Sequence, residues 1–346
     1  RSVSCWQSVR PLQSLLCGML AQFDTVIAQS DEDAERFVAA QALAADAPPA
    51  KNVSVASNLK LAPPVLPIPK ETMFRAGSLF EIEGLAPAVR LVVASTHERE
   101  EELVAKALVL RKKRRQARNA AHLANGRLST VMVPRHPKRV NALANNIRRK
   151  FGLPVRVVPV SFILNGRSSS DSAGSDSAGR HVSTSKHSWG KNGEASSDDA
   201  CITLVEGVGA LRALYASADI ALVGGALLEG DEMVGQHNVV EPLQHACITL
   251  HGAHARDDGT FCSLWKSFLT HGVAESELGS VLRALRGSEA EDVYRALEQV
   301  CGDVQGDTCM LERMHATMTR VARSSSGLDG HWTELERGRF FGRVLG

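Results

Sequence analysis

Residues 217–254 contain the highest density of groups that could bind a ligand. Residues 219–223 form a short apolar run that ends at Gly224-Gly225, as expected of a buried parallel strand leading into a tight turn. An amphipathic segment at 235–246 and a second apolar run at 247–250 follow. Ligands of open parallel α/β sheets bind at the carboxyl ends of the strands, where glycines and helix N-termini expose N–H groups. The unit therefore predicts an anion-binding or sugar-binding site.

Asn238 and Glu241 are the informative polar residues of this segment. Asn238 lies where a helix would begin and could cap it, and Glu241 falls in the first turn. Two roles fit Glu241. It could complement the helix dipole, which contributes about 0.3–1 kcal/mol, or it could accept hydrogen bonds from ribose hydroxyls. The neighbouring Gly-Gly turn and Asn238 make the second role worth testing.

Two further strand ends carry charged or titratable side chains. Arg135 and His136 follow the apolar run 130–134, and a guanidinium beside a helix N-terminus is well suited to phosphate. His97 follows the apolar run 91–95, where contact with a phosphate or sugar and a purely structural role are both open.

Lys60 follows a strand-like stretch at 53–56 and precedes a proline-rich segment. A lysine beside a domain cleft can stabilise a departing phosphate, although most such lysines are only solvated. Prolines at 63, 64, 67 and 69 predict a stiff interdomain linker, which we place at 61–89.

The order of these segments predicts an α/β protein with a domain boundary at the linker. The end of a first domain is expected at 1–60, a ligand-binding domain at 90–300 and C-terminal helices at 301–346. Residues 165–200 are rich in Ser, Gly and Asp, which predicts a disordered surface insertion; its histidines do not suggest a metal site.

Composition excludes several classes of protein. The chain has 346 residues, of which 44% are hydrophobic, and a net charge of +2 that is too small to suggest nucleic-acid binding. The basic cluster at 111–115 fits a solvated helix end best and an anionic membrane surface second. Seven cysteines without a CxxC pair indicate reduced thiols. The sequence lacks an initiator Met and a signal-peptide pattern, so we expect a fragment or processed form.

Several blocks together resemble one enzyme family, the 3-deoxy-D-manno-octulosonic acid (Kdo) transferases. Residues 223–227 and 235–241 are similar to the family signature "VGGSL…GGHNPLE", and 134–139 to its "PRHP-R" block. Residues 95–101 are similar to "STHegEE", and 27–37 and 57–62 to blocks of the family's N-terminal domain. The resemblance implies a GT-B glycosyltransferase with two Rossmann-like domains, of which the N-terminal one is only partly present.

The resemblance also implies an activity and its substrates. The enzyme would transfer Kdo from CMP-Kdo, its donor substrate, to a lipid A precursor by an inverting, metal-independent reaction without a cofactor. It would be associated with the cytosolic face of a bacterial inner membrane, or with a mitochondrion in a eukaryote. The family's general base falls in the N-terminal part that this sequence lacks.

Site residues are implied position by position. Lys60 would stabilise the transition state. Nucleotide-binding positions would be Pro134, Arg135, Val208, Gly209, Ala210, Asn238, Val239, Val240 and Glu241. Secondary candidates would be His97, Gly224, Gly225 and His237.

This sequence departs from the family pattern at several of its motifs. A family Glu is replaced by Ala210, a Thr by Gly207, a Ser by Ala226 and a Gly by Ser57. A lost hydrogen bond to the nucleotide would cost roughly 1–3 kcal/mol. Two alternatives therefore stay open: another GT-B enzyme that uses a different nucleotide-sugar, such as a UDP-sugar, and a non-catalytic scaffold relative.

Overall fold

The computed structural model describes residues 23–28, 31–42, 53–55, 67–81, 89–117, 127–165, 201–230, 234–257 and 272–307, together with isolated positions elsewhere. The chain divides into two compact units. The smaller includes residues 1–64, and the larger runs over 65–262 and 274–318. Lys60 and most of the predicted insertion lie outside the described residues.

The smaller unit contains a parallel β-α-β element. Strand β1 (Val26–Ala28) pairs with β2 (Val53–Val55), and helix α1 (Asp31–Ala42) follows β1. Three carboxylates in the first turn of α1 suit the positive end of the helix dipole. In the sequence, Ser30 directly before these acidic residues predicts an N-cap, but this residue is not among the described ones.

The larger unit is built on a seven-stranded, all-parallel sheet. The strand order across the sheet is β5-β6-β4-β3-β7-β8-β9. In chain order the strands are β3 (Val89–Thr96), β4 (Leu128–Pro134), β5 (Val155–Pro159), β6 (Ile202–Glu206), β7 (Ile220–Val223), β8 (Ile248–His251) and β9 (Leu282–Ala284). This arrangement confirms the predicted α/β class.

Helices connect the strands of the larger unit. They are α2 (Lys70–Ser78), α3 (Glu98–Ala117), α4 (Val140–Phe151), α5 (Val160–Asn165), α6 (Leu211–Tyr215), α7 (Val240–Gln244), α8 (Glu275–Val281) and α9 (Ala290–Gly306). Short 3-10 turns lie at Pro137–Arg139 and Ala253–Asp257. None of the helices in these described ranges is long and apolar enough to cross a membrane.

The central strands are apolar because helices cover both faces of the sheet. Every residue of β4 is buried, as is every residue of β7. At the amino ends of the strands, Asp219 accepts hydrogen bonds from the backbone N–H of Arg90 (2.8 Å) and from its guanidinium (2.9 and 3.2 Å). This contact joins the start of β3 to the start of β7.

The structure differs from the sequence predictions in three places. Helix α2 forms inside the predicted linker 61–89, and Phe80 just after it is fully buried in the core of the larger unit. Strand β9 extends the sheet by a strand that the sequence pattern did not predict. Helix α9 continues across residue 300, so that position is not an element boundary.

Candidate functional site

The site is located where the strand order of the sheet reverses. From β3 the chain proceeds to β4 on one side, whereas β7 lies on the other side and leads to β8 and β9. Ligands of doubly wound folds bind at such a switch point, beyond the carboxyl ends of the strands. Here the loop from β3 to α3 lies beside the Gly-Gly turn that follows β7.

Glu100 holds these two loops together. The side chain is 2% exposed, and its Oε1 accepts hydrogen bonds from the backbone N–H groups of Gly225 (2.8 Å) and Leu227 (3.0 Å). Its Oε2 accepts from the N–H of His97 (2.9 Å). One carboxylate in the first turn of α3 therefore satisfies three backbone donors from two loops. The sequence pattern of acidic residues suggested only a dipole role for it.

The Gly-Gly turn requires glycine at both positions. A Cβ on Gly224 would lie 2.8 Å from the carbonyl oxygen of Ser95, and a Cβ on Gly225 would lie 2.1 Å from that of Gly235. Gly225 also has a φ of 103°, in the region that favours glycine. The N–H of Gly224 donates to the carbonyl of Ala94 (2.9 Å), and that of Gly225 to Glu100. Both glycines thus shape the site, while their N–H groups are used within the chain.

Three histidines meet in front of this turn. The Nε2 atoms of His97 and His237 are 3.0 Å apart, and their rings stack with centroids 5.3 Å apart. The His136 ring meets His97 edge-on at 5.4 Å. Burial lowers the pKa of both His97 and His237, and the nearby Arg135 cation lowers each further. Arg135 itself is exposed, so its guanidinium is accessible beside two neutral imidazoles.

The backbone N–H of Arg135 donates to the carbonyl of Thr96 (3.0 Å), which fixes the end of β4 against the end of β3. The arginine therefore extends from a rigid strand end, as the sequence predicted. The following turn is anchored by Arg139, which pairs with Glu101 and lies 3.3 Å from Glu98. Burial raises the pKa of the fully buried Glu101 carboxyl to about 7, although the Arg139 charge opposes that shift.

Helix α7 provides the second polar part of the site. The Asn238 side chain accepts a hydrogen bond from the N–H of Val240 (3.0 Å), so it orders the entry to the helix. Glu241 is half-buried in the first turn, where burial raises its pKa and the positive charge of Arg212 opposes this effect. Burial lowers the pKa of His245 on the next turn to about 4, so this imidazole is neutral near pH 7.

The loop after β6 forms the third part. Gly207 has a φ of 131°, and a Cβ there would come within 2.3 Å of the Val160 side chain. Val208 is 74% exposed, and Gly209 is exposed with a φ of 99°. Ala210 is buried and contributes no polar group. Helix α6 begins directly after it and carries Arg212, the charge that acts on Glu241.

The predicted site residues fall into distinct groups. Arg135, Gly209, Asn238 and Glu241 lie at the carboxyl edge of the sheet with accessible or half-buried side chains or backbone. Pro134, Val239 and Val240 are buried, so they can meet a ligand only through their backbone. Lys60 is not among the described residues. Sequence analysis assigned no binding role to Glu100, Glu101, Arg139 or Arg212, because each of these residues interacts with residues far away in the sequence.

The three histidines do not form a metal centre. Across the ranges that the structure describes, no group of three or more His, Cys, Asp or Glu side chains is arranged to hold an ion. The described cysteines Cys201, Cys247 and Cys301 form no disulfide bond.

Comparison with solved structures gives matches at low sequence identity and with TM-scores below 0.5. The C-terminal CMP-Kdo binding domain of WaaA from Acinetobacter baumannii is 18% identical with a TM-score of 0.43; the match covers 72% of this chain and 97% of that domain. An α,α-trehalose-phosphate synthase (UDP-forming) from Burkholderia vietnamiensis is 12% identical with a TM-score of 0.45, covering 100% of this chain and 64% of that one.

Comparison with curated sequences gives short, more similar matches. The 3-deoxy-D-manno-octulosonic acid transferase of Chlamydophila psittaci is 39% identical over 66 residues, which is 19% of this chain and 14% of that protein. The Chlamydia muridarum enzyme of the same name is 34% identical over 79 residues, or 23% and 17% of the two chains. No family model matches the sequence. Over these stretches the chain is similar to the 3-deoxy-D-manno-octulosonic acid transferases, the same family that its motifs resemble.

Proposed function

We propose that this chain is the nucleotide-sugar half of a Kdo transferase of the GT-B type, and that the site at the carboxyl edge of its seven-stranded sheet binds CMP-Kdo. Arg135 holds the phosphate, the loop 208–210 cradles the nucleotide through its backbone, and Glu241 accepts hydrogen bonds from the ribose. Transfer to a lipid A precursor, inverting and without a metal, at a membrane surface, completes the proposed activity.

The proposal rests on one observation: three segments that resemble family motifs lie at the same edge of the sheet. Arg135 follows β4, the loop 207–210 follows the neighbouring strand β6, and α7 follows β7. The charge of Arg135 acts on His237 and that of Arg212 acts on Glu241, which supports the proposal that these segments form one site. The proposal also rests on the sequence similarity to curated Kdo transferases, which the chain matches over less than a fifth of their length.

The geometry assigns separate tasks to the two charged side chains. A guanidinium at a rigid strand end can donate two hydrogen bonds to a phosphate without reorganisation. A half-buried carboxyl group on α7 can accept hydrogen bonds from hydroxyl groups, and the positive charge of Arg212 favours its ionised form. Lys60, outside the described residues, is proposed to stabilise the departing CMP, as the family resemblance implies.

Calorimetric titration of this chain with CMP, UMP and UDP tests the proposal. We expect CMP to bind most tightly. Arg135→Ala and Glu241→Ala should each weaken binding about 10- to 100-fold, because each removes a hydrogen bond to a charged group that contributes about 1.5–3 kcal/mol.

Matched variants control for charge and helix position. Arg149→Ala removes an exposed arginine in the last turn of α4, at the opposite edge of the sheet, and should leave CMP affinity unchanged. Glu275→Ala removes a first-turn glutamate from α8 and controls for the helix dipole. Preference for UDP would instead identify another nucleotide-sugar enzyme, and a folded full-length protein that binds no nucleotide would indicate a non-catalytic relative.

A further inference from the structure

The His97–His237 contact requires the two rings to share a proton. Their Nε2 atoms are 3.0 Å apart, which is a hydrogen-bond distance. A neutral imidazole has one N–H donor and one acceptor nitrogen, so one Nε2 must carry hydrogen and the other must accept it. The accepting ring then has its only N–H at Nδ1, and the donating ring has a bare Nδ1.

The outer nitrogens of this pair are available to a ligand. Within the described residues, neither ring has a hydrogen-bond partner at Nδ1, and both side chains are half-buried. Arg135 is close enough for its charge to act on both rings. An anion bound by Arg135 would therefore bring a negative charge near the imidazole pair.

Burial, and to a smaller extent the surrounding charges, keep the pair neutral in the absence of an anion. The neighbours Arg135, Arg139 and His136 disfavour a charged His97, and Glu100 favours it. For His237 the disfavouring neighbours are His97 and Arg135. An incoming anion adds the negative charge that the cluster lacks, so it raises the proton affinity of the pair.

We propose that His97 and His237 act as a single proton-accepting unit that takes up one proton when an oxyanion of the donor binds beside Arg135. The identity of that oxyanion rests on the proposed function. It is either the nucleotide phosphate or the carboxylate of the acidic sugar, and the two share the chemistry that the site recognises.

The proton balance is simple. The neutral pair has two N–H bonds, one between the rings and one directed outward. One proton from solvent gives a pair with a single positive charge and three N–H bonds, of which two are directed outward at the Nδ1 atoms. No covalent bond to the ligand forms. The site thus gains one charge and one hydrogen-bond donor only when the anion is present.

Proton uptake is measured directly by calorimetric titration in two buffers with different ionisation enthalpies. We expect an uptake of about one proton per bound ligand. As the pH rises from the pKa of the free pair to that of the bound pair, the affinity should fall by roughly tenfold for each pH unit. CMP carries only the phosphate and CMP-Kdo carries both anions. Uptake with CMP identifies the phosphate, and uptake with CMP-Kdo alone identifies the sugar carboxylate.

Two variants separate proton uptake from simple contact. The double variant His97→Gln with His237→Gln keeps side chains that can donate hydrogen bonds but cannot take up a proton, so it should abolish the uptake and flatten the pH profile. His254→Gln is the matched control, because His254 lies after β8 and is hydrogen-bonded to Ser288 (3.1 Å), away from the pair. Its uptake should equal that of the unmodified chain.

An NMR titration of the histidine side chains gives a readout that does not depend on the donor. Inorganic phosphate should raise the pKa of the His97–His237 pair. If CMP binds without proton uptake, the proposed function stands and this inference fails. If neither CMP nor CMP-Kdo binds, the proposed function fails, and the phosphate titration alone decides the inference. A pair whose pKa moves with none of the three ligands overturns it.

Discussion

Replacing Glu100 by glutamine should destabilise the larger unit substantially, although the two side chains have the same shape. The carboxylate accepts three backbone N–H bonds in a site that is 2% exposed. If the amide oxygen keeps the contacts with Gly225 and Leu227, the amide NH₂ faces the N–H of His97, and one buried donor loses its acceptor. That loss costs about 1–3 kcal/mol, and the two remaining bonds weaken because their acceptor is no longer charged.

The expected total is about 3 kcal/mol, which corresponds to a fall in melting temperature of roughly 6–12 °C for a domain of this size. Differential scanning calorimetry measures it. Hydrogen exchange of the Gly225 and Leu227 amides should become faster in the same variant. Glu102→Gln is the control, since that neighbour pairs with Lys150 at the surface and should cost less than about 1 kcal/mol. Equal shifts in the two variants, with unchanged exchange at both amides, would refute the role given to Glu100.

Three further outcomes are expected. The pKa of Glu101 is raised to about 7 in the folded chain, whereas the unfolded chain releases this proton near pH 4.5. The unfolding free energy of the unmodified chain, minus that of Glu101→Gln, should therefore decrease from pH 4.5 to 7 and stay constant above pH 7. Urea titrations at several pH values measure this difference. Gly225→Ala should cost more than about 2 kcal/mol, whereas Gly230→Ala, with positive φ but open space, should cost about 1 kcal/mol in the same assay. Arg111→Met should destabilise by about 2–4 kcal/mol through loss of its buried contact with Glu298, and a double-mutant cycle should show coupling between the two.

The central strands could be predicted because strands covered on both faces must be apolar throughout. The runs that form β3, β4 and β7 are rich in branched apolar side chains, which is typical of strands that are buried on both faces. Strand β9 escaped prediction because it has three residues and follows α8 without a loop. Helix α2 escaped because the prolines before it suggest an extended linker, and only the buried Phe80 would have indicated a packed segment.

The site was only partly predictable for a different reason. Arg135 and Asn238 lie at the ends of recognisable local segments, so sequence position alone located them. The role of Glu100 depends on Gly225, which is 125 residues away, and local sequence contains no information about which strands are neighbours. The contact of His97 with His237 spans 140 residues and has the same origin.

The pairing of β3 with β7 also determines how long one edge of β3 stays unpaired during synthesis of the chain. Arg90 and Asp219 are 129 positions apart, so β3 is synthesised long before its second neighbour. At about 5–20 residues per second, the interval is on the order of ten seconds. Throughout it β3, whose middle residues are apolar, has one unpaired edge, and an unpaired strand edge can pair with other chains. In that interval, the protection of nascent chains against aggregation depends on factors that bind an exposed strand edge. The stability of the completed fold does not contribute to it.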